Sequence, residues 1–261
     1  MANEINKARY NTVRKANDLI QKSRFNLSLQ QQKIILFLIS QITPFDKEFN
    51  TYEFDIREFC KVCGIDYDNG NNYMKLKEQI KSIADKSMWV EIEENEETLL
   101  RWIEKPYINK RSGLIRIRLD EDMKPYLLNL KKNYTQYELI YTLHFKSKYT
   151  IRLYELIKSI HYKELETYKV YYTIDEIRNR LGVENGRYKE LKNLKARVLD
   201  IAVEEINKYS DKQISYKNVK KGRIIIGIEF TINSKDILNN IETLADIEKE
   251  MDNQITIFDK E

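Results

Sequence analysis

Phe54-Asp55-Ile56-Arg57-Glu58-Phe59-Cys60-Lys61-Val62-Cys63-Gly64-Ile65 and Tyr172-Thr173-Ile174-Asp175-Glu176-Ile177-Arg178-Asn179-Arg180-Leu181-Gly182-Val183 are two versions of one segment, 118 residues apart. Ile, Glu and Gly recur at matched places, and the same offset carries Ile35, Leu38, Ile39 and Ile42 onto Leu153, Leu156, Ile157 and Ile160. An upstream helix is therefore repeated in register with the segment. A period of this length exceeds that of solenoid repeats and suits a small domain. The chain reads as two tandem copies of one module.

Composition agrees with two modest cores. The 261 residues are 42% hydrophobic and 33% charged, with only 7 Gly and 3 Pro, a balance that favours helix-rich globular structure over loops or disorder. The net charge of +4 is small but unevenly placed. Arg187, Lys189, Lys192, Lys195, Arg197, Lys217, Lys220, Lys221 and Arg223 crowd one stretch, whereas Glu242, Asp246, Glu248, Glu250, Asp252, Asp259 and Glu261 crowd the tail. Placement matters more than the sum.

Cys60 and Cys63 lie three apart on a predicted helix, so no disulfide framework is expected, and a reducing, cytoplasmic setting follows. No apolar run approaches the ~18 residues of a membrane span, and the start lacks the apolar core of a signal peptide.

Working outward from the repeat, Leu27-Ser28-Leu29 opens a core helix running to Ile42, with Ser28 placed to cap it. A strand at 52–55 leads to a helix stopped by Gly64, a turn at 66–72, and a helix from Tyr73 to Lys86. Strands at 88–93, 99–108 and 114–118 follow, the last two meeting at the tip Asn109-Lys110-Arg111-Ser112-Gly113. The second copy repeats the order: helix 150–162, strand 169–173, helix 174–181, then a long helix from Arg187 to Tyr209. The inward stripe of that helix is Leu191, Leu194, Val198, Ile201, Ala202 and Ile206. A hairpin of 214–219 and 223–232 turns at Lys220-Lys221-Gly222.

The expected class is α+β, two tandem winged helix-turn-helix domains related by internal duplication. The expected boundaries are an N-terminal segment 1–26, a first domain 27–120, a linker 121–148 holding Pro125, a second domain 149–232, and an acidic C-terminal helix and tail 233–261. The tail helix is capped near Ser234, reaches about Met251, and is followed by a polar end.

In a winged helix-turn-helix the second helix enters the major groove of DNA and the wing lies along the neighbouring backbone. Arg187, Lys189, Lys192, Asn193 and Arg197 sit opposite the apolar stripe. Long cations reach phosphates and fork onto guanine, and Asn bonds adenine through two contacts, so these types suit groove reading. Lys217, Asn218, Lys220, Lys221 and Arg223 form the second wing. The first copy offers Asn71, Asn72, Tyr73, Lys75, Lys77 and Lys81 on its helix, and Lys105, Asn109, Lys110 and Arg111 near its wing, at lower positive density. The second module is expected to dominate sequence reading, with the first adding grip or a dimer surface.

Enzymatic chemistry finds no foothold. Gly is too scarce for a phosphate-binding loop, and His144 and His161 stand apart with no metal-ligand spacing. Cys60-Lys61-Val62-Cys63 has redox or zinc spacing but no second ligand pair, so core packing is the expected role. Eighteen tyrosines single out no nucleophile. No catalytic residue, metal or cofactor is expected.

The tail peptide Gln254-Ile255-Thr256-Ile257-Phe258 resembles the Gln-Leu-Ser/Asp-Leu-Phe motif with which bacterial replication proteins engage the sliding clamp. An extended segment of this kind places Gln254, Ile255, Ile257 and Phe258 into a preformed apolar pocket.

From about Asn11 to Ile232 the chain resembles the initiator replication proteins of theta-replicating bacterial plasmids. The carriers are Val13-Arg14-Lys15-Ala16-Asn17-Asp18-Leu19-Ile20, Leu27-Ser28-Leu29-Gln30-Gln31-Gln32-Lys33-Ile34, and the paired helix, strand, helix and wing units. The resemblance implies binding to directly repeated origin DNA, opening of the adjacent duplex, and recruitment of the host replicative helicase, often with the chromosomal initiator ATPase. It also implies monomers at the origin and dimers in autorepression, and it carries the major-groove role onto Arg187, Lys189, Lys192, Asn193 and Arg197 by position on the helix. A double winged-helix transcriptional regulator without melting activity is the alternative, and a protein-interaction scaffold a third.

Overall fold

A computed structural model describes residues 7–63, 70–109, 111–160 and 166–258. Its first strand, β1 (Thr12–Ala16), pairs antiparallel with β8 (Tyr134–Glu138), Val13 facing Tyr137 and Lys15 facing Thr135. After β1 come α1 (Asn17–Lys22), the two-residue strand β2 (Ser23–Arg24) and α2 (Leu29–Ser40). Ser28 caps α2 as expected. Its hydroxyl accepts from the Gln31 amide at 3.2 Å while the Gln31 side chain accepts from the Ser28 amide at 2.9 Å. Two free N–H groups are satisfied together, and such caps contribute roughly 0.5–2 kcal/mol. Every residue from Gln31 to Ser40 is buried, so α2 is the axis of the first unit rather than a one-faced surface helix.

Around α2 lie β3 (Tyr52–Asp55), α3 (Ile56–Cys63) and α4 (Gly70–Ala84), the last turning Leu76, Ile80 and Ile83 inward. Then come β4 (Ser87–Glu93), β5 (Glu96–Arg101), β6 (Tyr107–Ile108) and β7 (Leu114–Ile117). The single strand expected over 99–108 is thus two strands, β5 and β6. Pro106 has no N–H to give a ladder, and between the strands Ile103 turns away to bridge Leu119.

The stretch 121–148, expected to be a linker, is a packed layer. It holds a one-turn 3₁₀ helix (Glu121–Met123), α5 (Lys124–Leu127), β8 and α6 (Ile140–Leu143), and buries Met123, Leu127, Tyr137, Leu139, Ile140, Tyr141, Leu143 and Phe145. Pro125 opens α5 instead of breaking a helix, since the first turn has no N–H partner to lose. Residues 12–24 likewise contribute strands and a helix to the fold and do not trail from it.

The second unit comprises α7 (Lys148–Lys158), β9 (Thr167–Thr173), α8 (Ile174–Arg180), a long helix, and strands β10 (Lys212–Lys221) and β11 (Ile224–Ser234). The long helix divides into α9 (Leu191–Leu194), a π-turn (Lys195–Leu199) and α10 (Asp200–Tyr209). Strand order is β9-β11-β10 here and β3-β7-β6 in the first unit: first strand, last strand, middle strand in both. α3 starts at Ile56 and α8 at Ile174, the repeat offset. Ile35, Leu38, Ile39, Leu153, Leu156 and Ile157 are all buried, and Ile42 and Ile160 are both half-buried. The units differ by the hairpin β4–β5, which the first unit inserts and pairs onto β2. Gly182 caps α8 with a left-handed φ of 67°, and a Cβ there would lie 2.5 Å from the Phe25 carbonyl oxygen. Gly64, its counterpart, lies outside the described residues.

Between β1, β8 and α7 sits a buried charge cluster. Lys15 Nζ is 2.6 Å from Glu155 Oε1, and the Tyr137 hydroxyl donates to the same oxygen at 2.6 Å. Arg152, 3.8 Å from Glu155 Oε2, donates to the carbonyls of Ile20, Ser23 and Arg180 and lies 4.3 Å above the Phe25 ring. Burial pushes the Lys15 ammonium pKa down, against the pull of Glu155, and raises that of the Tyr137 phenol. A second node holds Asp211, which accepts from Tyr154 at 2.7 Å and pairs with Lys158 at 2.6 Å. Burial alone would raise the Asp211 carboxyl, but Lys158 and Lys212 outweigh it and hold the group low.

The last helix, α11 (Ile237–Phe258), starts one turn later than Ser234, with Asp236 accepting from the Asn239 amide at 2.8 Å. It continues past Met251, so residues 254–258, expected to be extended, have helical backbone; their side chains lie outside the described residues. Ile247 and Met251 are buried. Tyr10 donates to Glu248, Tyr141 to Asn240, and Lys208 and Tyr209 to Glu250, so α11 straps both units. Beneath it the His144 ring stacks on Tyr209 at 5.1 Å, with Nδ1 3.6 Å from Glu250. Burial pushes the His144 pKa down to about 4, against Glu250 and with Lys33 and Arg9 adding to the depression.

Two outcomes are expected. Glu155→Gln leaves both Lys15 and Arg152 buried without their counter-charge and loses about 3–5 kcal/mol of unfolding free energy in urea. For His144, the unfolded chain takes up the proton first, so stability falls as pH drops from about 6.5 towards 4 and is unaffected above that window. Urea transitions at pH 7 and pH 5 should therefore move less for His144→Phe than for the parent.

Candidate nucleic-acid interface

The long helix of the second unit begins at Leu191, four residues later than its charge pattern suggests. Gly186 and Tyr188 adopt left-handed φ values of 84° and 51°, which a helix cannot contain. Arg187 and Lys189 therefore sit on the preceding turn. Arg178 of α8 holds that turn in place by donating to three consecutive carbonyls, Arg187 (3.1 Å), Tyr188 (2.5 Å) and Lys189 (3.0 Å). The Tyr188 ring meets Tyr149 of α7 edge-on at 6.3 Å. Arg178 was legible only as a charge inside the repeated segment, where the first copy has Cys60; its carbonyl-binding role depends on a turn that sequence periodicity does not reveal.

Lys192, Asn193 and Arg197 are exposed on one side of the helix, as their spacing predicts. The buried stripe differs from expectation in one place: Ile201 is 37% exposed and Leu199 is fully buried. Val198, Ala202 and Ile206 stay buried as expected, and the π-turn adds one residue to its turn, so Leu199 is buried beside Val198. Lys192 pairs with Glu190 at 3.2 Å and Arg187 with Glu184 at 3.9 Å, both solvent-exposed contacts of little energy. Among the described residues Lys189 and Arg197 have no ion pair.

The wing is tied to this helix at its base. Tyr216 of β10 donates to Asp200 at 2.5 Å, and Lys195 lies 5.5 Å from the Tyr216 ring centre. Lys217 is neutralised by Glu229 at 3.0 Å, and Asn218 is half-buried. Lys220, Lys221 and Arg223 at the tip are exposed and unpaired among the described residues. Helix and tip thus both carry solvent-facing cations, with the wing base fixed to the helix.

The first unit presents less. Lys75, Lys77 and Lys81 are exposed on α4, whereas the side chains of Asn71, Asn72 and Tyr73, and Lys110 altogether, lie outside the described residues. Arg111 is exposed at the tip, which Gly113 closes with φ 73°. Asn109 is a structural turn residue, its side chain accepting from the amides of Arg111 and Ser112. Tyr107 stands 53% exposed on β6 between Lys105 and Arg116, each within 6 Å of its ring.

Elsewhere, Cys60 is buried in the core, and His161 lies outside the described residues. Among the described residues no group of His, Cys, Asp or Glu is arranged to hold a metal, and no helix is long and apolar enough to cross a membrane.

Comparison with known proteins agrees with this geometry. Residues 12–158 match the family model described as initiator replication protein, WH1, and residues 173–232 that of the initiator Rep protein, WH2. Among solved structures, the Pi initiator protein, crystallised in complex with iteron DNA, superposes with a TM-score of 0.68 over 87% of this chain and 99% of that one, at 20% identity. At that identity the likeness speaks for the fold. Two winged-helix units with one strand order, matched in turn by the WH1 and WH2 models, make this chain a member of the initiator replication protein family.

Proposed function

We propose that this chain is a plasmid replication initiator that binds directly repeated origin DNA, reading the major groove with the helix from Leu191 and gripping the backbone with the wing tip. The observation that carries the reading is the set of solvent-facing cations without ion pairs, Lys189, Arg197, Lys220, Lys221 and Arg223, on one framework braced by Tyr216 and Asp200. The family it belongs to, and the iteron DNA bound by the structurally similar Pi protein, support the choice of ligand. Asn193 and Lys192 face outward on the helix and are the base-reading candidates, and the first unit adds grip through Lys75, Lys77 and Arg111.

Opening of the adjacent duplex and recruitment of the replicative helicase and the initiator ATPase belong to the same proposal and rest on family membership. Sliding-clamp binding by Gln254, Ile255, Ile257 and Phe258 requires the last helical turn of α11 to unwind into an extended peptide.

The test is duplex binding across salt. With about 6–10 phosphates neutralised, affinity for the cognate repeat should fall roughly 10³- to 10⁵-fold between 50 and 200 mM salt. Replacing Lys220, Lys221 and Arg223 together by Gln should flatten the log–log slope by about 2–3 while leaving sequence preference intact. A salt-insensitive or sequence-indifferent constant would sink the proposal. Arg178→Ala should act differently, weakening cognate binding by about 1–3 kcal/mol at nearly unchanged slope, because it releases the turn that carries Arg187 and Lys189 without removing a contacting cation.

A further inference from the structure

The hairpin β10–β11 is longer than the sheet it belongs to. β9 pairs with β11 only from Gly227 to Asn233, so Val219–Lys221 and Ile224–Ile226 project as a two-stranded ribbon with no third strand. The ribbon leaves the sheet through a position that only glycine fits: a Cβ on Gly227 would lie 2.4 Å from the Tyr171 ring and 2.5 Å from the Tyr172 carbonyl oxygen. Val219 faces Gly227 but Lys220 faces Ile225, so Ile226 is an extra, bulged residue that twists the ribbon. The turn is closed by Gly222 at φ 64°.

This ribbon carries apolar surface where solubility calls for none. Ile224 is 71% exposed and Ile226 38%. The other wing tip in the same chain is built from Asn109, Arg111 and Ser112. Around the two isoleucines stand Lys220, Lys221 and Arg223, none with an ion pair among the described residues. A contact with a second copy through this patch would bring those like charges together. A ligand with apolar surface inside a rim of negative charge suits it, and the minor groove of duplex DNA offers this where a step opens, with sugar walls and an uncovered base face between two rows of phosphates.

We propose that Ile224, backed by Ile226, is an apolar wedge that enters the minor groove and partly unstacks one base step while Lys220, Lys221 and Arg223 hold the flanking phosphates. The inference rests on the DNA-binding reading above and deepens it. An aliphatic side chain forms no hydrogen bond to a base edge, so it gains only by leaving water against an opened base face. Because Tyr216 and Asp200 fix the wing base to the long helix, the wedge acts at a set distance from the groove-reading residues. Flexible pyrimidine–purine steps at that distance are the preferred sites, since they unstack at least cost.

The test uses the full chain and duplexes carrying the cognate repeat, located by nuclease protection of the origin, with 2-aminopurine at successive steps and a donor–acceptor pair at the ends. The parent protein should raise 2-aminopurine emission at one step and shorten the end-to-end distance. Ile224→Ser should lose both signals and bind about ten-fold more weakly, and a mismatch placed at that step should restore its affinity; a thermal melt like that of the parent keeps folding out of the result. Parent-like bending and emission in Ile224→Ser would overturn the wedge, as would a shift of the free variant from dimer to monomer in sedimentation with DNA distortion unchanged. A parent protein that binds no duplex would overturn the DNA-binding reading itself, a separate outcome.

Discussion

A buried carboxylate ties the N-terminal strand to the helix that opens the second unit. Glu155 of α7 meets Lys15 of β1 and Tyr137 of β8, and Arg152, one turn back on the same helix, reaches the carbonyls of Ile20, Ser23 and Arg180. With the charges this deep, attraction only offsets desolvation if the geometry is met, and the penalty for leaving one partner alone is several kcal/mol. The cluster therefore favours one docking of the N-terminal strand against the first helix of the second unit. What reads as a linker along the chain is, in space, the layer through which that docking occurs.

On this shared body the duplicated units diverge. The first spends its extra hairpin, β4–β5, on a sheet with β2, and its wing strands are short. The second keeps the simpler three-stranded sheet and extends its hairpin into the ribbon of Val219–Lys221 and Ile224–Ile226. Cationic density follows this division, with the unpaired tip charges on the longer wing. α11 then crosses both units, anchored by Glu248 on Tyr10 and by Glu250 on Lys208 and Tyr209.

Local backbone irregularities position the charged surface. The left-handed residues Gly186 and Tyr188 delay the long helix and leave Arg187 and Lys189 on a turn, which Arg178 secures by its carbonyls. The π-turn at Lys195–Leu199 adds a residue to one turn of the helix, so that Leu199 is buried beside Val198 while Ile201 is partly exposed. The Ile226 bulge twists the wing. Each device costs regularity in the element and changes where a side chain points.

The duplication is legible along the chain, because the helix-forming periodicities around Ile35–Ile42 and Leu153–Ile160 and the segments ending in Gly64 and Gly182 are local patterns written twice. Helical spacing alone likewise puts Lys192, Asn193 and Arg197 opposite the apolar stripe. Tertiary structure decided the rest. The β1–β8 pairing joins residues far apart in the chain, and neither strand's alternation names its partner. The buried use of Lys15, Arg152 and Glu155 is invisible to patterns that assign charge to the surface. The extra residue of the π-turn and the projection of the ribbon beyond β9 depend on hydrogen-bond register, which is settled only when the strands and helices meet.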